Sequence, residues 1–187
     1  MEKNMEGYSG AVKAVVREAK GGALRGIHGP LSQLISVEDR YAVAVETALS
    51  AAIQNIVTDS ENDAKRAINF LKEKKGGRAT FLPLTSVKSK PFTEKGLDDC
   101  YGFVDMADKL LDYDGKYNEI IQSLLGRTAV AEDLDSAIAM AKKYSYRFKI
   151  VTLDGQVVNA GGSMTGGSSG HNAGILSRSN EKDKLNS

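Results

Sequence analysis

Two Gly-Gly pairs, Gly161-Gly162 and Gly166-Gly167, punctuate the run Asn159-Ala-Gly-Gly-Ser-Met-Thr-Gly-Gly-Ser-Ser-Gly170. They lie directly behind Gln156 to Ala160, which reads as a strand leaving an Asp154-Gly155 turn. Glycine weakens a strand and is tolerated chiefly where another backbone or a ligand must come close. Two chemistries fit. Successive N–H groups of a glycine loop can cradle an anion, and a side-chain-free strand edge can pair with another chain. Neither glycine pair is followed by Lys-Ser or Lys-Thr, which excludes a Walker-type loop. No helix is predicted after Gly167 to turn its dipole on a pyrophosphate. The strand upstream favours the interface. The alternative is a small-molecule or nucleotide-binding α/β domain that uses the Gly-rich loop as an anion nest.

The remaining reactive residue types form no machinery. His28 and His171 sit beside glycines, without a third ligand at metal spacing. Ser163, Ser168 and Ser169 lack a nucleophile elbow. Asp105, Asp108 and Asp112 recur at helical spacing near Asp98, Asp99 and Asp114, yet no glycine-containing calcium loop accompanies them, so they read as a solvated face. Cys100 is the single cysteine, which rules out an intrachain disulfide. No catalytic residue, metal site or cofactor is assigned. Basic residues cluster at Lys72, Lys74, Lys75 and Arg78, and again at Lys142, Lys143, Arg147 and Lys149. Each cluster ends a predicted helix and opens a strand, which suits either a helix dipole or a phosphate-contacting patch.

The elements that must position these groups are legible from periodicity. Tyr8, Val12, Val15, Val16 and Ala19 share a helical face that Gly21-Gly22 ends. Leu24 to Ile27 is a short apolar piece broken by His28-Gly29-Pro30. Ser36-Val-Glu-Asp39 resembles a capping box opening an alanine-rich helix to about Ile53. Val104 to Leu111 is predicted helical. Tyr117, Ile120, Ile121, Leu124 and Leu125 form another helical face, stopped by Gly126. With 187 residues, 41% hydrophobic content and a formal net charge of +1, the chain suits one domain or two small lobes, and any nucleic-acid contact must come from a local patch. The sequence contains no apolar run of transmembrane length, and its charged start lacks a signal-peptide core. A reducing, cytoplasmic home is expected.

Two stretches look like copies of one unit. Gln54–Thr58 leads through Ser60 into a helix with Ala64, Ala67, Ile68 and Leu71 inward, then the strand Arg78–Leu84. Thr128–Ala131 leads through Glu132-Asp133 into a helix with Leu134, Ala137, Ile138 and Ala141 inward, then the strand Arg147–Leu153. The expected class is α+β, with pseudo-related lobes at about 7–84 and 102–177 and a connecting loop at 85–101. The polar ends, 1–6 and 178–187, read as stubs of a longer chain.

Four motifs in this order carry a family resemblance: Tyr8-Ser-Gly10, Gly26-Ile-His-Gly-Pro-Leu-Ser-Gln-Leu-Ile35, Arg78-Ala-Thr-Phe-Leu-Pro-Leu84, and Val151-Thr-Leu-Asp-Gly155 with Gly161-Gly-Ser-Met-Thr-Gly-Gly167. From about Gly7 to Ser177 the chain resembles the hinge of bacterial structural maintenance of chromosomes (SMC) proteins. The resemblance implies a homodimerisation module of a chromosome condensation and segregation ATPase, at the tip of a coiled-coil arm. Edge strands would pair across the dimer to close a ring, with Gly161, Gly162, Gly166 and Gly167 at the contacts. It further implies ATPase heads elsewhere in the parent, a nucleoid-associated location, and weak, sequence-independent DNA binding. Accessory subunits are not expected to be encoded here. Charge density assigns the DNA contact to Lys72, Lys74, Lys75 and Arg78.

Overall fold

In the computed structural model, residues 5–168 and 174–176 are described. Ser169, His171 and the tail 178–187 therefore lie outside the described residues, as does most of the 1–6 stub. The order of elements is α1 (Gly10–Lys20), β1 (Ile27–Pro30), β2 (Ile35–Ser36), α2 (Asp39–Leu49), β3 (Ile56–Thr58), α3 (Glu61–Lys74), β4 (Phe81–Pro83), β5 (Phe103–Met106), β6 (Asp112–Tyr113), α4 (Asn118–Leu125), β7 (Thr128–Ala131), α5 (Leu134–Lys143), β8 (Lys149–Thr152), β9 (Val157–Val158) and β10 (Met164–Thr165).

The chain forms two compact units, each discontinuous in sequence. The first comprises residues 1–36, 51–88 and 113–120; the second comprises 37–50, 89–112 and 121–187. The contiguous lobes expected at 7–84 and 102–177 therefore exchange segments, because α2 packs on β8 of the second unit. At the end of α2, the Lys149 ammonium on β8 donates to Ala48 O at 2.9 Å, satisfying a carbonyl that helix geometry leaves without a partner. Burial pushes the Lys149 amine below its usual range.

The expected repeat is present and extends further than its sequence copies. In the first unit β1 pairs antiparallel with β3, and β3 pairs parallel with β4 through the crossover helix α3. In the second, β5 pairs antiparallel with β7, and β7 pairs parallel with β8 through α5. The second sheet then continues by antiparallel pairing to β9 and β10, giving the order β10-β9-β8-β7-β5. The central strands β3 and β7 are buried along their whole length, which is why Ile56-Val57-Thr58 and Thr128-Ala-Val-Ala131 show no polar alternation. Ser60 accepts from the Asp63 N–H at the start of α3, and Asp133 accepts from the Ser136 N–H at the start of α5. Each cap satisfies an amide hydrogen that helix geometry leaves without a partner. The second core gathers Leu97, Ala131, Met140, Tyr144, Phe148 and Ile150, with the Phe92 ring edge-on to Phe148.

Several expectations need correction. Ser36 belongs to β2, and α2 starts from Glu38 with no side-chain cap. The helix stops at Leu49, where Ser50 turns to φ 52°, and a 3-10 segment runs through Gln54. His28, Gly29 and Pro30 do not break the chain but lie in β1, an edge strand where proline's missing N–H is tolerated. Val104 to Leu111 is not helical: it forms β5 and a 3-10 turn, because pairing with β7 overrides the helical spacing. Ile68 faces outward and is 50% exposed.

Candidate functional site

The paired glycines shape a hairpin. β9 and β10 pair Met164 with Val158 and Thr165 with Val157, and Gly161-Gly162 makes the turn between them, with φ of 88° and 103°. Gly166 follows β10, where a Cβ would overlap the Gln156 side chain. That side chain holds both main-chain groups of Gly167, its Oε1 accepting from the Gly167 N–H at 2.8 Å and its Nε2 donating to Gly167 O at 3.0 Å. Gly161, Gly162, Gly166 and Gly167 thus each meet a requirement inside their own chain.

No strand among the described residues pairs with the hairpin's outer edge. The Asn159 N–H donates to Ser163 O, which places the Met164–Val158 pair in the non-hydrogen-bonded register. The N–H and C=O of Met164 therefore face away from β9. β10 ends the sheet, and the Met164 side chain is 52% exposed. The sequence reading passed over this methionine, although an apolar residue between two glycine pairs in an otherwise polar run was a usable signal.

An anion nest is poorly served here. The Gly161 N–H is spent on Tyr146 O and the Gly162 N–H on Asn159 O, while Gln156 takes that of Gly167. The other candidates scatter. Asp105 accepts from the Met106 N–H and Asp108 from Gln122. No group of three metal-ligating side chains converges among the described residues. His28 is held between Asp59 at Nε2 (2.6 Å) and the Tyr117 hydroxyl at Nδ1 (2.8 Å), with the Tyr117 ring edge-on.

The two basic clusters part company. Lys72 and Lys74 end α3, Lys75 is its left-handed C-cap, and Arg78 follows; all four are exposed and none pairs with an acid among the described residues. In the other cluster, Arg147 makes a bidentate pair with Glu94 at 2.7 and 2.9 Å, which holds the guanidinium above its usual range. Lys149 is committed to Ala48, and the Lys143 ammonium lies 3.8 Å from the Cys100 thiol.

Among the described residues, one α+β unit thus ends in a hairpin edge without a partner strand, and the other carries a basic helix end without acidic partners. Residues 24–141 match the model of the SMC proteins flexible hinge domain, and the chain belongs to that family. It is 40% identical to the chromosome partition protein Smc of Bacillus subtilis over 99% of its own length, and 36% identical to that of Methanococcus voltae over 92%. The chain spans only 16% and 14% of those two relatives. Among solved structures, the fold matches an asymmetric dimer of the Geobacillus stearothermophilus SMC hinge domain with a TM-score of 0.88 and 44% identity, covering 97% of this chain and 73% of that one. The Pyrococcus furiosus SMC hinge domain matches at 0.71 and 29%, covering 88% and 90%. Among the described residues no helix is long and apolar enough to cross a membrane.

Proposed function

We propose that this chain is a homodimerisation hinge, in which the outer edge of β10 adds to a strand of a second copy. The carrying observation is the main chain of Met164, without a partner among the described residues, at the end of a five-stranded sheet. The likeness to a hinge solved as a dimer supports the reading. Under two-fold symmetry each dimer contains two such contacts. Once one has formed, the other closes at high effective concentration, so the ring dissociates slowly even where each contact is modest. Gly161, Gly162, Gly166 and Gly167 frame the edge and keep side chains off the approach. The chain itself carries out no chemistry; nucleotide hydrolysis belongs to other segments of a longer chromosome-partitioning protein.

Sequence-independent DNA binding is a second role, assigned to Lys72, Lys74, Lys75 and Arg78 because all four remain exposed without acidic partners among the described residues, whereas Arg147 and Lys149 of the other cluster are engaged within the chain. Light scattering tests the main reading. A dimer at micromolar loading has twice the 20.0 kDa chain mass, whereas a monodisperse single-chain mass at that concentration overturns it.

A further inference from the structure

We propose that a pocket in the second unit, between the segment ending at Tyr101 and the outer face of α5, receives an arginine-bearing segment of a partner protein. The pocket has a volume of ≈ 430 Å³ and is lined by Cys100, Tyr101, Asp133, Asp135, Ser136, Ala139, Met140 and Lys143. This volume lies within the range of side-chain and small-ligand sites.

The internal repeat shows what the equivalent helix face carries in the first unit. Aligning the helix caps, Ser60 on Asp133, places Asp63 on Ser136 and Arg66 on Ala139. The equivalence is structural: a Cβ on Gly26 would overlap Asp63, and one on Gly102 would overlap Ser136. In the first unit this helix face carries its own guanidinium, with Arg66 Nη2 3.3 Å from Asp63 Oδ1. In the second unit Ala139 and Ser136 remove both partners, and the space is open.

The surroundings remain suited to a guanidinium. Asp133 and Asp135 stand at the start of α5, both exposed, and Asp135 has no ion-pair partner among the described residues. Glu132, Asp98 and Asp99 flank the lining in sequence and are also exposed. Lys143 lines the same pocket, its ammonium 3.8 Å from the Cys100 thiol, and is the one basic group among the lining residues against the carboxylates of Asp133 and Asp135. Met140 and Ala139 supply an apolar floor for an aliphatic stem. Tyr101, 87% exposed, offers a ring face on which a guanidinium stacks. An acidic rim repels phosphate, so nucleic acid is not the occupant. Because β5, next to Tyr101, ends the sheet opposite β10, the pocket stays available when β10 is paired.

The test titrates the 15N-labelled full chain with blocked leucyl-arginyl-leucine amide, using the peptide with citrulline in place of arginine as the neutral control. Saturable shifts are expected at the amides of Tyr101, Ser136 and Ala139. Asp135→Asn and Tyr101→Ala should each weaken binding about three- to fivefold, as for exposed charge and cation–π contacts. Ala139→Arg, which places a guanidinium of the chain itself at the position Arg66 holds in the first unit, should abolish it. Both Asp135 and Tyr101 are exposed, so those variants report on binding even where Ala139→Arg impairs folding. Equal affinity for the citrulline peptide overturns the proposal, as do shifts confined elsewhere. Shifts that track protein rather than peptide concentration overturn it too, by assigning the pocket to a second copy.

Discussion

Replacing Met164 by proline isolates the outer edge of β10. In the non-hydrogen-bonded register the Met164 N–H is not used among the described residues, so a proline there removes no bond of the hairpin. An edge strand also tolerates the ring. What disappears is the donor offered to a second chain, and the partner's carbonyl is left unpaired. A lost hydrogen bond of this kind costs roughly 1–3 kcal/mol, the upper end applying where the stranded group is shielded from water. With two symmetry-related contacts per dimer, Met164→Pro should cost roughly 2–6 kcal/mol, raising the dissociation constant from about 30-fold to about 10⁴-fold. Sedimentation velocity over a dilution series measures this directly. Met164→Val, which keeps the N–H, should dimerise like the parent. Exchange protection of the Asn159 amide reports on the hairpin itself, because that N–H bonds to Ser163 O. If Met164→Pro retains the parent dissociation constant while Asn159 stays protected, the edge-pairing reasoning is refuted.

Other parts of the molecule give sharp expectations. Gly102→Ala places a Cβ against Ser136 at φ 79° and should lower stability by about 1–3 kcal/mol, read as a fall in the urea midpoint at unchanged slope. Tyr117→Phe removes the hydroxyl that meets His28 Nδ1; a loss of about 1–3 kcal/mol is expected, and an unchanged midpoint would show that the contact contributes nothing. The Ser136 N–H holds the Asp133 carboxyl below its usual range. Its unfolded form therefore takes up a proton first on acidification. The stabilisation is complete above the ordinary aspartate range and is lost as pH falls through the lowered native value. Asp133→Asn keeps a cap acceptor but does not titrate, so the stability gap between parent and variant should shrink toward acid; a gap independent of pH refutes the assignment. Reversing Lys72, Lys74 and Lys75 to glutamate should reduce the log–log salt slope of DNA affinity by about 2.7, at ~0.9 per phosphate contact. An unchanged slope moves the DNA surface elsewhere.

What could be read from the sequence was local, and what could not depended on partners far along the chain. The helix starts at Ser60 and Asp133 were legible because a cap acts within three residues. The repeat was legible because both crossovers bury similar short apolar runs. Val104 to Leu111 misled because its aspartates recur at helical spacing, whereas the deciding contact is with β7, more than twenty residues away. For the same reason α2 could not be assigned to the second unit: its packing partner is β8.

The glycine pairs have a local role that is independent of any partner chain. Missing side chains would admit a second backbone. The structure adds that Gly161 and Gly162 turn a hairpin, that Gly166 lies under Gln156, and that Gly167 is fastened by the same side chain. These requirements exist in a single chain. The proposed pairing therefore rests on the strand they frame rather than on the glycines, since Met164 presents main-chain groups that β9 leaves unused. A quadruple alanine variant would perturb the turn and the edge together, so a monomer produced that way would not separate folding from pairing. Met164→Pro acts on the edge alone, and that makes it the stricter test of what the motif is for.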